Sequence, residues 1–194
     1  MKRGTYLLLS LVLIFSVAVF INGCSENSVS NPNEPVESIG IHVDDIQWIP
    51  VKTEVLEKLK SLSKTGMTGK MITPEDGGIV GGNITLDNTV EIPRRAVEEK
   101  TFVTVEVLCI EDKKQTSAGV EFLPSMEFEK DVTITLSWAF LDLEDDEELE
   151  FNIYFSEDEG YVWFPLEKTE MVIDYDEKTV KFKTDHFTRY GWGI

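Results

Sequence analysis

Near its C-terminus the chain reads His186-Phe187-Thr188, an imidazole and a hydroxyl on either side of a phenylalanine. These residue types could break the backbone. The Thr188 hydroxyl would attack the carbonyl of Phe187, His186 would activate or orient the groups, and water would then hydrolyse the ester. That step also needs a strained peptide and donors for the developing oxyanion. The same residues have a structural use: Phe187 supplies core area, and Thr188 suits a strand. Cleavage would release only TRYGWGI, seven residues. The balance favours packing, with His186, Phe187 and Thr188 as the self-cleavage candidates.

Other polar groups offer weaker chemistry. Asp142–Glu150 holds seven acids in nine residues, and Ser156–Gly160 adds three more. Clustered oxygen ligands suit Ca²⁺, which makes a calcium-stabilised structural module one alternative. No twelve-residue EF-hand loop with its glycine is present, so a solvated loop between strands is expected. His42 lies near Asp44 and Asp45, a faint metal signal that fits a strand edge as well. Two histidines in the whole chain disfavour zinc. Glycoside hydrolysis needs two carboxylates facing each other across a cleft, and among 36 acids no pair stands out. Serine-hydrolase, metalloprotease and P-loop signatures are absent. The residues point to no enzyme, no cofactor and no metal. Trp48, Trp138, Trp163 and Trp192, with Tyr154, Tyr161 and Tyr190, would serve a sugar-stacking face or, more often, a core. Cys109, in the apolar run FVTVEVLCI, reads as a buried free cysteine acting as a small hydrophobe.

These groups need a scaffold, and the composition allows one. The 194 residues fit one domain with a small appendage. Apolar content of 42% and aromatic content of 10% suffice for a core. Thirty-six acids against 18 Lys and Arg give a formal charge of −18. Such a surface repels nucleic acid and anionic head groups, which are held by clustered Lys and Arg.

Lys2 and Arg3 precede an uncharged run from Tyr6 to Ile21. Its 16 residues are short of the roughly 20 that span a membrane and fit the apolar region of a secretory signal. The next residues, Ile21-Asn22-Gly23-Cys24, resemble the lipobox of bacterial lipoproteins. The resemblance implies cleavage after Gly23, lipidation of Cys24, and membrane tethering through several acyl chains. Ser25, where an Asp would retain the protein at the inner membrane, implies the outer membrane. With Cys24 lipidated, Cys109 has no disulfide partner. Residues 25–38 are Ser, Asn, Pro and Glu with little to bury, a flexible tether with a reach of about 20 Å.

Residues 39–69 hold a short apolar segment and then one short helix. Val55, Leu56, Leu59 and Leu62 share a helical face, Thr53 caps the start and Gly66 the end, and Lys52, Lys58, Lys60 and Lys64 are solvated. From residue 70 to 194 the period becomes two. Val132, Ile134, Leu136 and Trp138 face one way and Thr133, Thr135 and Ser137 the other. Leu149, Phe151, Ile153 and Phe155 repeat the pattern. Met171, Ile173 and Tyr175 turn back into Val180 and Phe182 as a hairpin. Asn83–Ile92, Thr101–Ile110, Tyr161–Leu166 and Phe187–Trp192 are further strands. Many short strands between turns predict an all-β fold, a β-sandwich with one short N-terminal helix. Two sheets closing over these positions would leave no deep cleft at His186.

The order of motifs resembles the ZU-five domain of netrin receptors, ankyrins and zonula occludens proteins. Asp76-Gly77-Gly78-Ile79-Val80 matches its opening turn. Ile92-Pro93-Arg94-Arg95-Ala96-Val97 matches its aliphatic-Pro-x-x-Ala element, with Arg95 where glycine is usual. Pro124, Phe128 and Lys130 match a later element, with Asp131 in place of proline, and His186-Phe187-Thr188 with Tyr190 matches the final His-Phe-Ser. The resemblance covers residues 70–194 and implies a β-sandwich for protein interaction without a cofactor. Some relatives cleave themselves between the Phe and the Ser. The expected protein is an outer-membrane lipoprotein whose domain recognises a protein or a glycan.

Overall fold

A computed structural model describes residues 40–61, 66–111, 116–143 and 151–194. The signal-like segment, Cys24, the tether, Leu62, Lys64 and most of the acidic run after Asp142 lie outside the described residues. One compact unit, Ser38–Ile194, holds all of the described chain.

The chain forms β1 (Ile41–His42), α1 (Thr53–Ser61), β2 (Met67–Ile72), β3 (Gly78–Gly82), β4 (Asn88–Ile92), β5 (Thr101–Glu111) and β6 (Thr116–Leu123). Then follow β7 (Glu127–Ser137), β8 (Asn152–Ser156), β9 (Val162–Pro165), β10 (Val172–Asp174), β11 (Thr179–His186) and β12 (Arg189–Gly193). One sheet runs β1-β9-β8-β12-β6-β5-β2 and the other β10-β11-β7-β4-β3. Every named pairing is antiparallel. The expected all-β sandwich with one short helix is the observed fold.

Period two explains the core directly. Val132, Ile134, Leu136 and Trp138 are all buried, and they meet Val103, Val105, Val120, Phe122 and Val180 between the sheets. Each large side chain sealed there stabilises the fold by about 1.5–3 kcal/mol. The expected hairpin forms from β10 and β11, with Ile173 opposite Val180. Ile173 and Tyr175 stay exposed because β10 is an edge strand, although Tyr175 meets Trp138 edge-on at 6.1 Å. The other edge of interest, β2, turns Lys70 over Gly78 of β3. A charge placed this way discourages another strand from adding to the sheet.

The helix starts one residue earlier than expected. The carbonyl of Lys52 accepts from Val55 at 3.0 Å and Leu56 at 2.9 Å, so Lys52 holds the cap position and Thr53 is already helical. Val55, Leu56 and Leu59 pack on the core as their spacing predicts. Gly66 lies beyond Ser61 and accepts from Val107 at 2.8 Å on the way into β2.

A second apolar layer covers the outside of the seven-stranded sheet. Ile46, Trp48, Ile110, Tyr154 and Trp163 form it. Tyr154 and Ile110 occupy the outward parity of β8 and β5, where period two predicts solvent. They are buried because Trp48 lies across Gly191, which has no Cβ to hold it off.

Cys109 corrects an expectation: it is exposed. It keeps the inward parity of Val103, Val105 and Val107. However, pairing with β2 ends at Met67 opposite Glu106, so the strand runs past its neighbour before reaching Cys109.

Gly77 takes a φ of 63° in the turn before β3, as the Gly-Gly pair predicts. Arg95 also has a φ of 63°, a region that favours glycine. Its N–H is held by Pro74 O at 2.8 Å.

Candidate functional site

Strand order gathers five connections at one end of the sandwich: those after β2, β4, β6, β8 and β11. There the ladder between β11 and β7 slips. Thr184 faces Val132 while His186 faces Glu127, so β7 carries extra residues against β11. Irregularities of this kind re-aim side chains at sheet ends. A groove of about 860 Å³ opens beside the slip, lined by residues that include Glu121, Leu123, Met126, Glu127, Glu157 and His186. The closed surface expected around His186 is therefore replaced by an open groove containing it.

The His186 ring is fixed from one side. Its Nδ1 lies 2.8 Å from Asp185 Oδ1 and 3.4 Å from Thr184 Oγ1. Its Nε2 lies 3.8 Å from Glu157 Oε1. That nitrogen is itself buried and has no hydrogen-bond partner among the described residues. The bond from His186 holds the Asp185 carboxyl below its ordinary value of 3.8.

Phe187 and Thr188 are committed to structure. Phe187 is 2% exposed, with its ring centroid 4.6 Å from Phe128 and 5.7 Å from Phe122. Thr188 is buried, and its hydroxyl donates to the carbonyl of Ser156. His186 and Thr188 thus direct their polar atoms at different partners, and no base is paired with the hydroxyl. Nearby, Tyr190 is buried, and burial pushes its phenol well above the usual range, so it stays neutral.

Among the described residues, Arg189 is the one Lys or Arg that lines the groove. It donates to Glu121 Oε1 through Nη2 at 2.6 Å and Nε at 3.2 Å, and through Nη1 to the carbonyl of Glu159. Its charge is used internally. A smaller hollow of about 460 Å³ adjoins the groove at Met126 and Glu127, and adds Glu98, Glu99 and Glu129.

The Ser156–Gly160 loop is held by hydrogen bonds to Asp158 and by Arg189 on the Glu159 carbonyl. Asp158 Oδ1 accepts from the Ser156 hydroxyl at 2.8 Å, Val162 N at 2.9 Å and Tyr161 N at 3.1 Å. The Val162 bond leads in holding its carboxyl below 3.8. Both Asp158 and Asp185 are depressed, so their contribution is present above the ordinary value and is lost as pH falls through the folded one. Acidification to about pH 3 is expected to loosen this loop and the end of β11 before the core. Amide NMR across the titration checks it; loop signals that shift only with global unfolding would refute it.

The remaining candidates scatter. His42 sits exposed on edge strand β1, with Nδ1 accepting from Asp44 N at 3.3 Å. No group of three or more His, Cys, Asp or Glu residues placed for a metal occurs among the described residues. Six of the seven aromatics weighed for sugar stacking are buried, leaving Tyr161 at 64% exposure. Sequence reasoning missed the groove because its acids belong to the ends of different strands. The available signal was their position: Glu127, Glu157 and Asp185 lie at or beside a strand terminus, and Glu121 two residues from the end of β6. No helix among the described residues is long and apolar enough to cross a membrane. Comparison of the sequence with models of known families and with curated proteins gave no match.

Proposed function

We propose that this chain is a membrane-anchored lipoprotein whose β-sandwich recognises a polypeptide at the cell envelope without catalysing a reaction. The observation that carries this reading is the open groove beside His186, whose one hydroxyl of interest is tied to the Ser156 carbonyl. Such a site can hold a partner and lacks an activated nucleophile. A glycan is the weaker choice, since the aromatics that would stack on sugar rings fill the core. The anchor rests on the lipobox-like Ile21-Asn22-Gly23-Cys24, and the outer membrane on Ser25.

The reading has two tests. With labelled palmitate, the wild type is expected to incorporate label and sediment with membranes, and Cys24→Ser to do neither; a labelled, sedimenting variant would end the anchor proposal. A photoreactive residue placed at Glu157 in cells is expected to crosslink a polypeptide. If the purified chain instead releases Thr188–Ile194 on long incubation, seen by intact mass, self-cleavage takes the place of recognition.

A further inference from the structure

We infer that the groove beside His186 takes an extended polypeptide segment carrying Lys or Arg between apolar residues. This rests on the recognition reading above and adds the chemical class of the partner.

Three observations point the same way. The first is shape: the groove has a volume of about 860 Å³, and its walls come from the separate connections after β6, β8 and β11. It shares Met126 and Glu127 with the smaller hollow, so the two together offer more length than a small molecule needs. The second is charge. Glu121, Glu127, Glu157, Glu159 and Asp185 line the groove, and Glu98, Glu99 and Glu129 line its extension. Against them stands Arg189, already bound to Glu121 and to the Glu159 carbonyl. Among the described residues, Glu127 and Glu129 have no Lys or Arg partner in an ion pair. Potentials across an interface are complementary, so this surface selects a cationic partner and rejects nucleic acid or an anionic lipid head group. The third is an unmet hydrogen bond: His186 Nε2, on a side chain that is otherwise 37% exposed, is buried and has no hydrogen-bond partner among the described residues, Glu157 standing off at 3.8 Å. Buried polar atoms are rarely left so, and a modest movement of Glu157 on binding would let the ring reach a ligand group.

Leu123 and Met126 supply the apolar part of the lining. Leu123 is exposed and Met126 half-buried. A methionine there suits side chains of differing shape. Alternating basic and apolar residues match an extended segment, since successive side chains of a strand face opposite ways.

The test uses the full chain in detergent and a fluorescent peptide alternating lysine and valine. A glutamate-valine peptide and a neutral dextran serve as comparisons. Binding is expected for the lysine peptide alone, weakening about tenfold or more in the double variant Glu127→Lys/Glu157→Lys. Both positions are exposed, so the melting temperature of the variant reports whether the fold is intact. Binding is also expected to weaken as salt rises through physiological ionic strength. Equal binding of the two peptides, or an unchanged affinity in a folded double variant, overturns the inference. The two readings fail separately: a partner crosslinked at Glu157 whose binding ignores both salt and the lysine peptide leaves recognition standing and removes the cationic class, whereas no crosslinked polypeptide at all removes recognition itself.

Discussion

Replacing Trp48 with alanine is expected to destabilise the domain by about 3–5 kcal/mol, lowering its melting temperature by about 10 °C. Trp48 is 1% exposed, yet it lies on the side of the seven-stranded sheet that faces away from the main core. Its ring meets Trp163 edge-on at 4.8 Å and Tyr154 at 6.0 Å. Its Nε1 donates to Val43 O at 2.9 Å, and its rim lies over Gly191. Alanine would remove the plug, leave a cavity over Gly191, and expose Tyr154 and Trp163. Flanking backbone bonds, Ile49 N to Trp192 O at 3.0 Å and Ile194 N to Gln47 O at 2.9 Å, tie this segment to β12. The loss is therefore felt by the whole sheet. A melt recorded by near-ultraviolet circular dichroism and by calorimetry checks the value. A drop of less than about 1 kcal/mol would mean that residues 40–51 are a detachable strap outside the cooperative unit.

That outer layer also marks where the sequence stops being readable. The inner face of β7 follows from its own residues, because Val132, Ile134 and Leu136, with Trp138 just past the strand end, alternate with hydroxyl side chains. Tyr154 and Ile110 follow the same rule and yet are buried, since the segment that covers them is distant in the chain. Period two reports which side a residue faces, and only topology reports whether that side is covered. Cys109 shows the converse: it faces inward by parity and is exposed because the neighbouring strand is shorter. The groove has the same origin. The acids that line it are ordinary surface residues in sequence, and the strand order sets them side by side. His186-Phe187-Thr188 was visible as a motif, but the bond from Thr188 to Ser156 depends on a strand 32 residues away. Arg95 is a middle case. Its φ of 63° lies where glycine is favoured, and nothing in an arginine side chain announces such a turn.

The second large effect is expected at Gly81, with Gly82 as its control. Both glycines have positive φ, 108° and 121°, so alanine at either takes on backbone strain. They differ in what the new methyl group would meet. At Gly82 nothing lies within 4 Å, but its φ of 121° with ψ of −146° is backbone that glycine alone adopts readily, and Gly82→Ala is expected to cost about 2 kcal/mol. At Gly81 the methyl carbon would fall 2.1 Å from Asn88 O and 2.7 Å from Thr89 Cα. Both are backbone atoms of β4, so no rotamer change relieves the clash. β4 cannot simply withdraw, because Asn88 is buried and clamped. Its Nδ2 donates to Thr85 O at 2.7 Å, and its Oδ1 accepts from Ser137 N of β7 at 2.9 Å. Displacing Asn88 would unpair that buried N–H, which costs about 1–3 kcal/mol beyond the steric term. Gly81→Ala is therefore expected to lose about 3 kcal/mol or more in total. Denaturant melts of the two variants side by side measure the difference. Equal losses would show that strain at positive φ, rather than the contact with Asn88, is what requires glycine at Gly81.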